Sequence, residues 1–245
     1  MIVLYTRRVA PCMLGGRMLK PKCWHCYAER KRFDLMLCDM CLDQLPWLTQ
    51  SLCQLCGLPS CASVCTQCQQ SPLSEKGLFA PLRYTDPIKS WLANFKYCEH
   101  LLLGDMLAKI FCFAWRHSSL LELPEAIIPI PLHTKKIKKR GFNQTVFMAN
   151  IIAKHLPCRV LPSALMRSKH GPSQSSLTLL QRKKNVQGIF ECVADQMPQR
   201  VAIFDDVMTT GYTIQAAKTC LQAAGVTDIQ CWSIARCLDL VSIRQ

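Results

Sequence analysis

The chain has 245 residues, half of them hydrophobic, enough for one or two domains with a sizeable core. No stretch of 18 apolar residues occurs, so no membrane-spanning helix is expected. The net charge of +14 points to an anionic partner, and 17 cysteines, an odd number, fit a fully paired disulfide framework poorly.

Residues 1–21 contain Arg7 and Arg8 but no long apolar stretch and no periodic pattern. A secretory signal is therefore not expected. A poorly ordered extension is, with Met18 as an alternative start.

Four C-x-x-C pairs follow within residues 22–72, expected to form one double zinc-finger module. Cys23, Cys26, Cys38 and Cys41 make one four-thiolate set, and Cys53, Cys56, Cys65 and Cys68 another. Each pair can place two sulfurs on one tetrahedral Zn²⁺, and two pairs close a structural site. Sequential pairing is preferred, and an interleaved pairing of the first and third knuckles stays open, as does the number of ions, one or two. Residues 42–48 read as a short helical segment packed on the zinc core. Residues 69–77 read as a polar linker.

The second domain is expected over 78–245. Residues 78–84 form a strand, and Asp86 caps a helix through Ile88, Leu92 and Phe95. A second helix covers 101–115, and 126–131 is a short buried strand. The basic loop from Leu132 to Gln144 follows, then a helix to His155 and a weak strand at 159–161. Residues 166–185 read as a long loop of the lid or binding type. Between 126 and 190 there are 12 Lys or Arg and no Asp or Glu, which points to a polyanionic ligand. The scattered later cysteines read as small core residues.

Residues 201–213 carry the most specific signal. Val201 to Phe204 read as a buried parallel strand that ends in Asp205 and Asp206. Thr209, Thr210 and Gly211 form a loop, and a helix begins at Tyr212. Backbone N–H groups of a Gly-containing loop at a helix N-terminus form an anion site, to which the hydroxyls of Thr209, Thr210 and Thr213 add donors. The two carboxylates suit ribose hydroxyls, or Mg²⁺ held through water. A merely capped turn is the structural alternative. Residues 229–235 close the sheet.

The stretch from Asp205 to Thr213 resembles the phosphoribosyl-pyrophosphate motif of type I phosphoribosyltransferases. Together with the cysteine knuckles, Ile128-Pro-Ile-Pro-Leu132, Arg140-Gly-Phe-Asn-Gln144, Gln174, Gln181-Arg182, Asn185 and Gly188-Ile-Phe190, it makes the chain resemble the ComF family of competence-associated proteins, related to GntX. The resemblance implies an α/β domain with a mostly parallel sheet flanked by helices, of type I phosphoribosyltransferase kind, preceded by the cysteine-rich module. It implies a cytoplasmic role in DNA uptake during natural transformation, binding of phosphoribosyl pyrophosphate with Mg²⁺ and of single-stranded DNA, and a DNA-uptake helicase or another competence protein as partner.

On this reading the pyrophosphate compound meets Asp205, Asp206, Met208, Thr209, Thr210, Gly211, Tyr212, Thr213, Lys135 and Arg182. Arg140 joins Asp205 and Asp206 as the candidate catalytic set, stabilising the leaving pyrophosphate. Lys135, Lys136, Lys138, Lys139, Arg140, Lys183 and Lys184 are the candidate nucleic-acid contacts. Phe142, Tyr84, Trp91 and Trp24 are candidates for base stacking. Asn143 and Gln144 serve equally as helix caps or ligand contacts. Transfer of a phosphoribosyl group to an unidentified acceptor is the alternative activity, and no general base is nominated for it.

Overall fold

The computed structural model describes residues 21–31, 35–48, 51–70, 77–118, 122–167, 189–193 and 197–238, and the backbone of 13–14 and 17–18. It divides into two compact units, Met1–Leu45 and Pro46–Gln245.

In the first unit, β1 (Met13–Leu14) and β2 (Arg17–Met18) pair antiparallel. The first knuckle turns at Tyr27, where the Tyr27 amide donates to the Cys23 carbonyl at 3.0 Å, and α1 (Asp39–Asp43) starts directly after Cys38. Leu35, Leu37, Leu42 and Leu45 are buried in this unit together with Cys23 and Cys41. The helix expected over 42–48 is instead α1, ending at Asp43. Pro46 cannot continue a helix, and Trp47 bridges Leu82 in extended conformation while the Leu48 amide donates to the Pro81 carbonyl.

The second unit is built on a sheet ordered β3 (Leu78–Phe79), β10 (Asp228–Arg236), β9 (Arg200–Met208), β5 (Ala126–Pro129), β6 (Arg159–Val160). β4 (Leu82–Arg83) follows β3 along the same edge of β10. Every ladder in this sheet is parallel. The expected parallel sheet with flanking helices is therefore present. Pro81 lies between β3 and β4, where the expected single strand 78–84 is broken: a proline has no N–H for the ladder.

Alternation along β9 divides its neighbours. Val201 and Ile203 face a core shared with Ile214, Ala217 and Leu221 of α7 (Tyr212–Ala223) and, within the same cluster, Cys53, Cys56 and Cys68. Phe204 faces α4 (Leu101–Arg116), its ring 6.0 Å from Phe111, which lies 5.4 Å from Trp232 of β10. The module expected over 22–72 is thus split by packing: its second cysteine set belongs to the α/β core. The reason is apolar area. α2 (Thr66–Gln70) is five residues long, and the sheet and α7 supply the burial that so short a segment lacks.

Several elements were not anticipated, β1 and β2 among them, which lie in the extension expected to be poorly ordered. α5 (Thr134–Arg140) stands where a basic loop was expected; His133 caps it by accepting from the Lys135 amide at 3.2 Å, and Gly141 ends it at φ +75°. β7 (Leu165–Arg167) and β8 (Phe190–Cys192) form a separate antiparallel ribbon. The remaining helices, α3 (Ile88–Tyr97) and α6 (Gln144–His155), lie close to their expected limits.

Candidate functional site

In open α/β sheets a ligand crevice lies outside the carboxyl ends of the strands, where successive connections run in opposite directions. Here the connection from β5 leads outward to β6, and that from β9 leads the other way to β10. The crevice is therefore expected between the carboxyl ends of β5 and β9. Asp205, Asp206 and the 209–211 loop lie at one side of it and the start of α5 at the other.

Alternation sends the two carboxylates to opposite faces of β9. The amides of Asp206 and Val207 donate to the carboxylates of Asp205 and Asp206 at 2.8 and 3.0 Å. Asp206 also forms an ion pair with Lys96 of α3, and both side chains are largely buried. Burial pushes the Asp206 carboxyl up, but the Lys96 charge and hydrogen bond more than offset it and hold the group below the usual carboxylate range. Burial also pushes Lys96 down, and the charge and hydrogen bond of Asp206 carry it above its ordinary value. Asp205 is held well above the usual range, first by burial and then by the charge of Asp206. Arg167 of β7 lies within the field of Asp205. One carboxylate is thus locked to a lysine, and the other is the readier to take a proton.

Gly211 adopts φ +81° as the N-cap of α7, a conformation that favours glycine. Thr209 is exposed, and Thr210, Tyr212 and Thr213 are half-buried around it. Met208 differs from the rest of the expected ligand set. Its side chain is buried, and its carbonyl accepts from the Arg236 guanidinium and the Cys237 amide.

Across the crevice, Lys135, Lys136, Lys138 and Lys139 are exposed on α5. Arg140 is oriented by three contacts. It donates to Gln144 Oε1 at 3.0 Å and to the Tyr97 hydroxyl at 3.2 Å, and it lies 4.9 Å from the centre of the Tyr97 ring. Asn143 caps α6, accepting from the Thr145 amide at 3.0 Å. Of the stacking candidates, Trp91 is buried and Phe142 packs 5.3 Å from Phe95. The exposed ring beside the basic helix is Tyr97, which sequence reasoning missed. Arg182, Lys183 and Lys184 lie outside the described residues, as do Gln174, Gln181, Asn185 and Gly188.

Lys96 was also missed, though a signal existed. It lies four residues after Leu92 and so on the apolar stripe of its helix, where a lysine needs a partner.

The cysteines gather as sequential sets: the four sulfur atoms within each lie inside 4.8 Å of one another. Tetrahedral zinc with Zn–S bonds of about 2.3 Å needs sulfurs about 3.8 Å apart. Cys26 and Cys38 are 3.6 Å apart, and Cys56 and Cys65 are 3.8 Å apart. Burial pushes the Cys23 thiol up, but amides of Cys26, Cys38 and His25 bring it down to about 6. Burial likewise acts on Cys53, and amides of Cys65, Leu55 and Cys56 bring it down to about 7. Both sets fit zinc and could hold it.

They are also two copies of one knuckle. The Cys53 amide donates to the Leu58 carbonyl and the Gly57 amide to the Cys53 carbonyl, each at 2.8 Å. The Cys23 amide likewise donates to the Ala28 carbonyl at 2.8 Å, and Tyr27 takes the place of Gly57.

No protein-family model matches the chain. Competence protein F of Haemophilus influenzae is 30% identical over 224 residues, 88% of this chain and 96% of that protein. DNA utilization protein YhgH of Escherichia coli K12 is 26% identical over 221 residues, with 88% and 97% covered. Competence protein ComFC of Bacillus subtilis is 27% identical over 209 residues, 78% and 80% of the two chains. Among solved structures, adenine phosphoribosyltransferases of Leishmania donovani and Trypanosoma brucei align with TM-scores of 0.38 and 0.40 at 14% and 13% identity. They cover 60% and 62% of this chain, and 58% and 60% of theirs. With nearly its whole length matched by competence protein F at this identity, the chain belongs to the ComF family.

Proposed function

We propose that the protein binds phosphoribosyl pyrophosphate in the crevice between β5 and β9 and single-stranded nucleic acid along α5, and that it serves DNA uptake and use in the cytoplasm. The observation that carries this reading is the strand–loop–helix from Arg200 to Ala223. It sets a glycine-capped helix N-terminus and two carboxylates at the reversal of strand connections. The 5′-phosphate is assigned to the amides and hydroxyls of Thr209, Thr210 and Thr213, and the ribose hydroxyls to Asp205 and Asp206.

Mg²⁺ suits such a site because it keeps several waters and needs few carboxylates; bound with the ligand it would supply positive charge to the pyrophosphate. Lys135 and Arg140 face the same anion from the β5 side. The names of the relatives, competence protein and DNA utilization protein, support the wider role. Four exposed lysines on one seven-residue helix, with Tyr97 beside them, suit a flexible polyanion whose bases can stack. The first unit, with its own cysteine set, is assigned to docking a partner such as a DNA-uptake helicase.

The test is calorimetric titration of phosphoribosyl pyrophosphate with Mg²⁺, followed by pyrophosphate release in the presence of nucleobases or single-stranded DNA. Binding without release supports a sensing pocket, and release with a particular acceptor identifies a transferase. Absence of binding, or affinity unchanged in Asp205→Asn/Asp206→Asn, overturns the assignment of the site.

A further inference from the structure

Arg236 closes β10 with a side chain only 1% exposed, and its guanidinium joins two regions far apart in sequence. Nε donates to the carbonyl of Cys56, inside the second cysteine set, at 2.9 Å. Nη1 donates to the carbonyls of Met208 at 3.0 Å, of Thr209, and of Cys237 at 3.1 Å. Met208 and Thr209 lead directly into the glycine-capped turn before α7. A single rigid fork therefore holds the knuckle and the phosphate loop together.

Packing tightens the same joint. Gly57 follows Cys56 at φ +67°, and a Cβ there would stand 2.5 Å from Leu78 Cδ2 and 3.7 Å from Arg236 Cγ. The Gln54 carbonyl accepts from the Leu78 amide at 3.1 Å, fixing the knuckle to β3. Charge acts in the same direction. A Zn²⁺ held by four thiolates leaves a net charge of about −2, and the buried guanidinium lies against that centre. Groups just outside the ligand shell orient it and are in turn held by it.

We infer that Arg236 is a positioning residue that couples the metal centre of Cys53, Cys56, Cys65 and Cys68 to the 208–211 phosphate loop, so that metal at this set, and not at the first, orders the ligand site. The functional consequence rests on the reading of that loop as the phosphoribosyl pyrophosphate site. The coupling itself does not, because it can be read in the ligand-free protein.

The experiment is hydrogen exchange by mass spectrometry on the full zinc-loaded chain, comparing wild type with Arg236→Lys, Cys65→Ser and Cys26→Ser. Peptides spanning 205–214 report the loop, and peptides from β5 and α6 report the fold. Arg236→Lys keeps the charge but cannot fork between the knuckle and the loop. It should retain about two zinc ions per chain while exchange in the loop rises about tenfold or more, the scale of losing charged hydrogen bonds. Cys65→Ser should loosen the same peptides, and Cys26→Ser should leave them unchanged.

A general unfolding of either cysteine variant appears in the β5 and α6 peptides, and Arg236→Lys then decides by itself, its zinc being retained; unfolding of Arg236→Lys itself in those peptides overturns a role confined to the loop. Loop exchange unchanged in Arg236→Lys, or raised equally by Cys26→Ser, overturns the coupling. Phosphoribosyl pyrophosphate affinity is measured in parallel. If wild type fails to bind it, the reading of the ligand site falls while the exchange result still judges Arg236.

Discussion

Lys96→Met removes the partner of a carboxylate that has little access to water. Lys96 and Asp206 side chains are 16% and 7% exposed, so solvent screens their attraction weakly. Stripping one partner from such a pair costs about 3–5 kcal/mol while the other stays ionised. Asp206 has one escape, which is to take a proton. At pH 7 that costs about 4 kcal/mol for a carboxyl of ordinary value, at roughly 1.4 kcal/mol per unit. The expected loss is therefore about 3–4 kcal/mol at pH 7, measured by urea unfolding through the emission of Trp91, Trp115 and Trp232, all buried in the second unit.

The dependence on pH carries the sign. In wild type the Asp206 value is depressed, so its stabilisation is complete above the unfolded value of about 4 and is lost below it. Without Lys96, burial raises the value, so the penalty grows as pH climbs above the unfolded value of about 4 and levels off beyond the raised one. The deficit of Lys96→Met should shrink to about 1.5 kcal/mol at pH 5, where protonating Asp206 costs little. Lys96→Met/Asp206→Asn should recover most of the loss at pH 7. An equal deficit at both pH values, or a double variant as unstable as the summed singles, refutes the buried pair as a determinant of this site.

Three further outcomes follow from the same geometry. Replacing Lys135, Lys136, Lys138 and Lys139 by Gln should flatten the salt dependence of single-stranded DNA affinity by about 0.7 in log–log slope for each phosphate no longer neutralised; an unchanged slope removes α5 from the interface. Phosphoribosyl pyrophosphate affinity should fall as pH drops through the raised value of Asp205, because a protonated carboxyl accepts ribose hydroxyls and Mg²⁺ waters poorly. Titration of the ligand phosphates is common to all variants, so Asp205→Asn should remove only the part due to the carboxyl; identical pH profiles contradict that role. Gly57→Ala should destabilise the second unit by about 1–3 kcal/mol in thermal unfolding, through positive φ and the collision with Leu78.

Much of this site was legible because its signals are local. Val201 to Phe204 followed by two carboxylates and Thr-Thr-Gly contains strand, loop and helix start in one stretch, and C-x-x-C spacing marks all eight cysteines while leaving their pairing to the structure. What escaped depends on other segments. α5 has a single apolar residue, Ile137, so it lacks an apolar stripe, and only Gly141 marked its end. Lys96 was hidden by its partner's distance: 110 positions separate it from Asp206. The β7–β8 ribbon joins residues on either side of positions 168–188, a pairing no periodicity reveals. The allotment of the second cysteine set to the α/β core is of the same kind, since C-x-x-C spacing reports what binds the metal and not what the knuckle packs against.

That allotment makes the two knuckle copies physically unequal. Both keep the turn bond to the first cysteine carbonyl, at 3.0 Å in one and 2.8 Å in the other. At the turn the first copy has Tyr27 at φ +60°, a residue that strains there but is 76% exposed and meets no crowding. The second has Gly57 at φ +67°, where any Cβ would strike β3. A tyrosine in the second copy would need both the strained backbone and room that Leu78 occupies, whereas a glycine in the first would only relieve strain. The glycine at the second turn thus records that this copy is built against the sheet. Arg236 bonds that second copy at the Cys56 carbonyl and, from the same guanidinium, the Met208 and Thr209 carbonyls that lead into the turn before α7.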